Sequence, residues 1–264
     1  MKHEIISRLP ASYSWRGNIH YFESIDSTNT EAKRMAAEGA PHGTVLIADS
    51  QTGGRGRMGR SFHSPAGSGI YMSIIIRPEC PAQKLLHLTC AAAVAAADGI
   101  AAATGLCPGI KWTNDLVVDR KKVGGILTEL SLDASGNVSY AIIGIGINCN
   151  QSAGEFPADI ADIASSLHLC TSQTIDRSTV IAAILIALQH MWDTLEDVES
   201  TLLRYRQNCI TIGQEISLVR GHEVRHGLAL DVDPSGALVV RFDDGQVQAV
   251  QSGEVSIRGM YGYV

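Results

Sequence analysis

The sequence predicts an α/β protein: a mixed central sheet flanked by helices, followed by a small β-barrel. Three observations carry this. Short apolar runs bounded by Gly, Pro or Asp occupy residues 43–48, 70–76, 123–130 and 138–147, and read as strands. Two long stretches, 82–103 and 177–206, are apolar enough and long enough to be helices packed on a sheet. From Ile210 onward the texture changes to short alternating segments. They are separated by Arg220-Gly221, Asp233-Pro234-Ser235-Gly236, Asp243-Asp244-Gly245 and Ser252-Gly253, the spacing of a small barrel. A boundary near residue 208 therefore separates units 1–208 and 209–264.

Taken in order, a first helix is expected from Ser27 or Thr28 to Glu38. Thr28 with Glu31 forms a capping-box pattern, and Gly39 and Pro41 end the helix. Strand 43–48 leads into a glycine- and arginine-rich loop, and strand 70–76 stops at Pro78. The alanine-rich stretch 82–103 is apolar on most faces and calls for burial as a helix. Residues 110–112 and 116–118 are short strand-like pieces joined to strand 123–130 by the polar turn 119–122. Residues 133–137 make a hairpin turn between the last two strands. A Gly-, Pro- and Ala-rich loop then precedes the helix at 177–206.

Hydrophobic residues make up 45% of the 264, enough for a substantial core, and the formal net charge is −6. That balance argues against a polyanion-binding surface, so no DNA partner is expected. Six cysteines form no C-x-x-C pair, so neither a disulfide framework nor a zinc cluster is suggested. Met1-Lys2-His3-Glu4 opens without a signal-like apolar run. The stretch Cys90 to Ala103, interrupted by Asp98 and Gly99, reads as too short to span a bilayer. A cytoplasmic location without a membrane partner is the expectation.

Against this acidic background, Gly53-Gly54-Arg55-Gly56-Arg57-Met58-Gly59-Arg60-Ser61-Phe62 stands out. Arginines on a glycine-rich backbone read as a mobile loop closing over an anionic ligand, most simply a phosphorylated one. Gly54, Gly56 and Gly59 formally match G-x-G-x-x-G, but the loop runs into a strand rather than a helix, which the dinucleotide fingerprint forbids. A merely solvated basic loop is the bland alternative. Lys111-Trp112-Thr113-Asn114-Asp115 concentrates a cation, an amide and a carboxylate, with a polar hairpin turn as its alternative reading. Arg120-Lys121-Lys122 precedes the paired Gly124-Gly125, which permits close approach of a ligand or backbone. Gly144-Ile145-Gly146-Ile147-Asn148 puts glycine on one face of a strand that ends in an amide.

Together these segments, with Ser27-Thr28-Asn29 and Gln51, resemble the biotin protein ligases in four ordered motifs over residues 24–258. The loop pattern G-R-G-R-x-G-R is matched in full by Gly54 to Arg60. The resemblance implies a class II synthetase-like catalytic unit and an SH3-like barrel. It also implies ATP-dependent activation of biotin as biotinyl-5'-AMP, then transfer to a lysine of a biotin carboxyl carrier protein, such as that of acetyl-CoA carboxylase. It assigns Lys122, Arg55 and Arg57 to catalysis. Biotin falls to Ser27, Thr28, Asn29, Gln51, Gly54, Arg55, Gly56, Arg57, Lys122 and Gly125. ATP falls to Arg57, Arg60, Phe62, Lys111, Asn114, Asp115, Lys122 and Asn148. Mg2+ accompanies ATP, with Asp115 as the candidate ligand, and homodimers are common in the family. Ser27 and Thr28 have helix capping as a second role, and Phe62 a core role beside adenine stacking. Two positions depart from the pattern: Thr113 replaces the usual proline, and Phe62 the usual tryptophan.

Two rival functions follow from the same resemblance. A lipoate-type acyl-adenylating ligase shares the architecture, but the arginine loop favours biotin. A biotin-responsive repressor needs a DNA-binding domain, and only 26 residues precede Ser27. His222-Glu223-Val224-Arg225-His226 matches the H-E-x-x-H zinc pattern, which requires a helix. Its glycine flanks and strand-like context predict an extended hairpin instead.

Overall fold

The computed structural model describes residues 1–252 and the backbone of 256–259. A seven-stranded sheet forms the centre. Its strands are β1 (Ile19–Ile25), β2 (Thr44–Gln51), β3 (Gly69–Ile76), β4 (Gly109–Lys111), β5 (Asp115–Val118), β6 (Lys121–Leu132) and β7 (Val138–Asn148). Their order is β1-β2-β3-β7-β6-β5-β4, with β1 and β2 parallel and the other pairs antiparallel. Register fixes which side chains share a face. Ser73 lies opposite Gly144, and Gly144 opposite Leu127; Tyr71, Gly146 and Gly125 form the next row. Because strand side chains alternate, Ile142, Gly144, Gly146 and Asn148 all point one way.

That face carries α2 (Thr28–Ala37), seated through Ala32 and Ala36 on Leu46, Ile75 and Ile142. The opposite face is covered by α3 (Leu88–Thr104), which packs against α5 (Arg177–Asp193) and α6 (Val198–Asn208). Gly99 allows the first of these contacts, because a Cβ there would sit 2.5 Å from the Ile184 Cα. Residues Ala82–Thr104 are long and apolar enough to cross a membrane by length and composition, which corrects the argument from shortness. Burial explains the composition instead: α3 is the core helix between the sheet and α5.

Several expectations are corrected. Ser27, not Thr28, is the N-cap of α2, accepting from the Thr30 amide at 3.5 Å, which leaves the Thr28 hydroxyl for other work. Residues 82–85 form a 3-10 turn, so the helix proper starts at Leu88. The helix expected over 177–206 is two. Thr194 closes α5, Leu195 turns into the core, and the Asp197 carboxylate caps α6 by accepting from the Ser200 amide. A helix α1 (Lys2–Arg8), strand β1 and a short α4 (Leu167–Thr171) were not anticipated; α1 packs on α5. The Ala-rich loop after residue 150 also contains a 3-10 turn at Ala153–Glu155.

The last strands, β8 (Glu215–Arg220), β9 (Glu223–Val232), β10 (Leu238–Phe242), β11 (Val247–Val250) and β12 (Ser256–Gly259), make an antiparallel sheet of order β11-β10-β9-β8-β12. His222 to His226 falls on the β8–β9 hairpin, and the His226 ring pairs with Ser217 Oγ at 3.1 Å, in extended backbone rather than a helix. All six cysteines are free thiols.

Candidate active site

A cavity of 740 Å³ opens on the α2 side of the sheet, within the size range of small-molecule sites. It is lined by the start of α2, the end of β2, the 55–63 loop, the 111–115 turn, β6, β7 and residues 160–164. Of the residues assigned from sequence, all line it except Gly54. Gly54 instead lets the loop fold on itself: a Cβ there would lie 2.4 Å from the Phe62 carbonyl oxygen. The loop is not open. The Phe62 amide donates to Gly54 O, and the Gly56 amide to Arg60 O at 2.7 Å. Met58, with a φ of 56°, turns the tip out to solvent.

One end of the cavity is a lattice of neutral polar groups. Gln51 Oε1 accepts from the Thr28 amide at 2.8 Å and lies 3.1 Å from the Thr28 hydroxyl. Gln51 Nε2 donates to Ser64 Oγ, which in turn donates to Phe62 O. Ser73 Oγ lies 2.8 Å from Thr28 Oγ1 and 2.6 Å from Asn29 Oδ1. Asn29 Nδ2 donates to Glu129 Oε2 at 2.9 Å, and Lys33 Nζ sits 2.5 Å from Glu129 Oε1. Burial opposes ionisation of Glu129, yet the hydrogen bonds from Lys33 and Asn29 hold its carboxyl below the usual range. Ser27, Thr28 and Asn29 are all buried. The bare face of β7 makes room for them: a Cβ on Gly144 would overlap Asn29 Oδ1 at 2.0 Å, and one on Gly146 would meet the Phe62 ring at 2.7 Å. Phe62 meets Tyr71 edge-on, with centroids 6.3 Å apart.

The other end is charged. Lys122 Nζ lies 2.6 Å from Asp115 Oδ1, above the open backbone of Gly125. The Lys122 main chain is strapped to residues 163–165, its amide donating to Ile163 O and its carbonyl accepting from the Ser165 amide. Arg57 donates to Asn114 Oδ1 at 2.7 Å and to the Ser252 carbonyl. Burial lowers the Arg57 guanidinium from its ordinary value, and Asp115 works against that. Arg55 Nη2 lies 3.9 Å from Glu129 Oε1. Arg60 and the buried Lys111 complete the cationic wall. Asn114 Nδ2 donates to Ile126 O, so this amide braces Arg57 against β6. Asn148 is likewise braced, donating to Ser165 O at 3.0 Å.

The 111–115 turn is clamped from behind. The buried Tyr205 hydroxyl of α6 donates to Thr113 O, Trp112 Nε1 donates to Gly236 O, and the Trp112 amide donates to Thr211 Oγ1. The shape of this turn thus depends on α6 and on the turns that precede β8 and join β9 to β10.

Residues 21–148 match the biotin/lipoate A/B protein ligase family, and residues 211–258 match the biotin protein ligase C-terminal domain. The bifunctional ligase/repressor BirA of Bacillus spizizenii is 38% identical over 91% of this chain and 74% of its own length. This chain belongs to the biotin/lipoate A/B protein ligase family. A second member, the biotin--[acetyl-CoA-carboxylase] ligase of Mycobacterium tuberculosis, is 31% identical over 94% of this chain and 91% of its own. Among solved members, the biotin protein ligase from Aquifex aeolicus in complex with biotin and ATP superposes with a TM-score of 0.78. It is 29% identical, over 92% of this chain and 99% of that one.

Sequence reading of this family member missed Lys33, Ser64, Ser73, Glu129 and the strap at 160–165. A signal existed for two of them. Asn29 and Lys33 are four apart on α2 and share a helix face. Gly125, Leu127 and Glu129 alternate on β6 and share a sheet face. Nothing local marks Ser64 or Ser73, because only the β3–β7 register and the loop fold bring them to the cavity.

Proposed function

We propose that this protein is an ATP-dependent biotin protein ligase, joining biotin to AMP and passing the biotinyl group to a carrier lysine. The observation that carries this is one cavity with two chemically different ends. Asn29 Oδ1 and Gln51 Oε1 present acceptors at one end, and a ureido ring brings N–H donors to them. A dithiolane ring has no N–H, so lipoate would forgo these ligand hydrogen bonds, each worth roughly 0.5–1.5 kcal/mol. The cations stand at the other end, where the valeryl carboxylate would meet the α-phosphate.

In the first step a biotin carboxylate oxygen attacks the α-phosphorus, and the bond to pyrophosphate breaks. Both reactants are anionic, so fixed positive charge must lie between them. Lys122 supplies it, exchanging its Asp115 partner for the two ligand groups, while Arg55 and Arg57 hold the flanking oxygens. In the second step the carrier lysine, as a free amine, attacks the acyl carbon and AMP leaves. Mg2+ binds through one or two carboxylates plus phosphates. Asp115 gives the cavity one such carboxylate, so Asp115 would hold the ion, which would neutralise phosphate charge.

The names of the relatives support the biotin domain of acetyl-CoA carboxylase as carrier. The match at 211–258 supports a catalytic unit over 1–208 and a C-terminal unit over 209–264. The free thiols suit a reducing cytoplasm. Pyrophosphate release should require biotin and not proceed with lipoate. Equal turnover of both acids would sink the biotin assignment.

A further inference from the structure

We propose that Glu129 is a positioning residue: held by Lys33, it fixes the orientation of the Asn29 amide and thereby the acceptor character of the biotin end. The proposal rests on the biotin-ligase reading above.

An asparagine side chain can sit either way round, and only its partners decide. Here they decide it fully. A carboxylate only accepts, so the Asn29 atom 2.9 Å from Glu129 Oε2 must be the NH2. The same group points to the Leu127 carbonyl at 3.4 Å, a second acceptor. Asn29 Oδ1 therefore faces Ser73 Oγ, whose single hydrogen it takes at 2.6 Å. Oδ1 keeps a second lone pair, and Asn29 lines the cavity. Glu129 is kept ionised and in place by the Lys33 ammonium at 2.5 Å, a group that only donates. Arg55, at 3.9 Å, lies outside hydrogen-bond reach of the same carboxylate. Lys33 and Glu129 thus act on the ligand through Asn29. They come from α2 and β6, and Lys33 lines no part of the cavity.

The consequence is specific. In Glu129→Gln the new amide has one acceptor and one donor end. Lys33 claims the acceptor, so an NH2 is turned toward Asn29 Nδ2. Two donors cannot face each other, and Asn29 must rotate, placing its own NH2 where a ligand N–H expects an oxygen. An isosteric change remote from the reacting atoms inverts one polar contact. Removing Lys33 as well frees the new amide to offer its oxygen to Asn29 again.

The test is calorimetric titration of biotin, and separately of ATP, into the full chain and into Glu129→Gln, Lys33→Met, the double variant and Glu129→Ala. Expected is an increase of about ten- to hundredfold in the biotin Kd for Glu129→Gln, with ATP affinity unchanged. The double variant recovers most of that loss. Glu129→Ala, which removes the carboxylate without opposing Asn29, loses less than Glu129→Gln despite being the larger truncation. That comparison remains available if one variant melts early. Biotin affinity unchanged in Glu129→Gln overturns the proposal. So does a loss that Lys33→Met fails to repair, since it would mean that Glu129 acts through its charge on Arg55. Wild-type protein that binds no biotin would instead sink the ligase reading itself.

Discussion

The two ends of the cavity are held together in opposite ways. At the biotin end, Thr28, Asn29, Gln51, Ser64 and Ser73 use their hydrogen-bonding groups on one another, with Glu129 and the Phe62 carbonyl as the acceptors that terminate the chain. At the phosphate end, the cations lean on partners that an anion can replace: Lys122 on Asp115, and Arg57 on the Asn114 oxygen and the Ser252 carbonyl. The difference teaches that recognition and chemistry need different preparation. A neutral ring is selected by groups already fixed, because any unpaired buried polar atom is costly. A charged reaction centre is assembled from groups kept solvated or paired until ligand charge arrives, which avoids leaving like charges unbalanced in a partly buried site.

Breaking the charged end should have the largest effect. Lys122→Ala is expected to lower the rate of adenylate formation by about 10²–10³-fold, read as pyrophosphate release in a single turnover. Biotin binding without ATP should change far less; equal losses in both would erase the distinction between the ends. Gly144→Ala strikes the preformed end. Its Cβ would overlap Asn29 Oδ1, so the biotin Kd should rise about tenfold or more while binding of an ATP analogue stays put. Arg57→Ala should release biotinyl-adenylate about tenfold faster, seen as free adenylate in solution, with a smaller change in biotin affinity. Tight retention in that variant would remove Arg57 from the clamp.

The smallest effect sharpens the comparison through pH. The Glu129 carboxyl is held below its ordinary value of 4.5 in the folded protein. A depressed carboxyl contributes stability that is present above its unfolded pKa and is lost as pH falls through the folded one. The stability that Glu129 contributes, read without ligand as the difference in unfolding free energy between the wild type and Glu129→Gln, should therefore stay level down to pH 4.5 and be lost only below it. A midpoint at or above that value would mean that Glu129 is not held ionised by Lys33 and Asn29.

The arginine loop, the Lys122 segment and the alternating glycines of β7 were legible because each departs from what packing alone needs. Arginines in an acidic chain and bare positions on a buried strand require a reason; an anionic ligand supplies the first, and the Asn29 and Phe62 side chains that fill the space over Gly144 and Gly146 supply the second. The break between α5 and α6 was not legible, because apolar spacing continues through it and only the Asp197 cap and the turn of Leu195 into the core interrupt the backbone. Nor was the dependence of the 111–115 turn on Tyr205, Thr211 and Gly236, which lie about a hundred residues away along the chain.

By itself the sequence determined which side chains carry charge, which strand faces are left open, and the order of the motifs, since composition and period-two alternation are local properties. Only the tertiary structure decided that Asn29 meets Ser73 and Glu129, that Gly54 serves the loop rather than the cavity, and that Arg57 is tied to residue 252. Those outcomes depend on strand register and on hydrogen-bond donors and acceptors paired across three separate segments, and no local run of residues encodes that pairing.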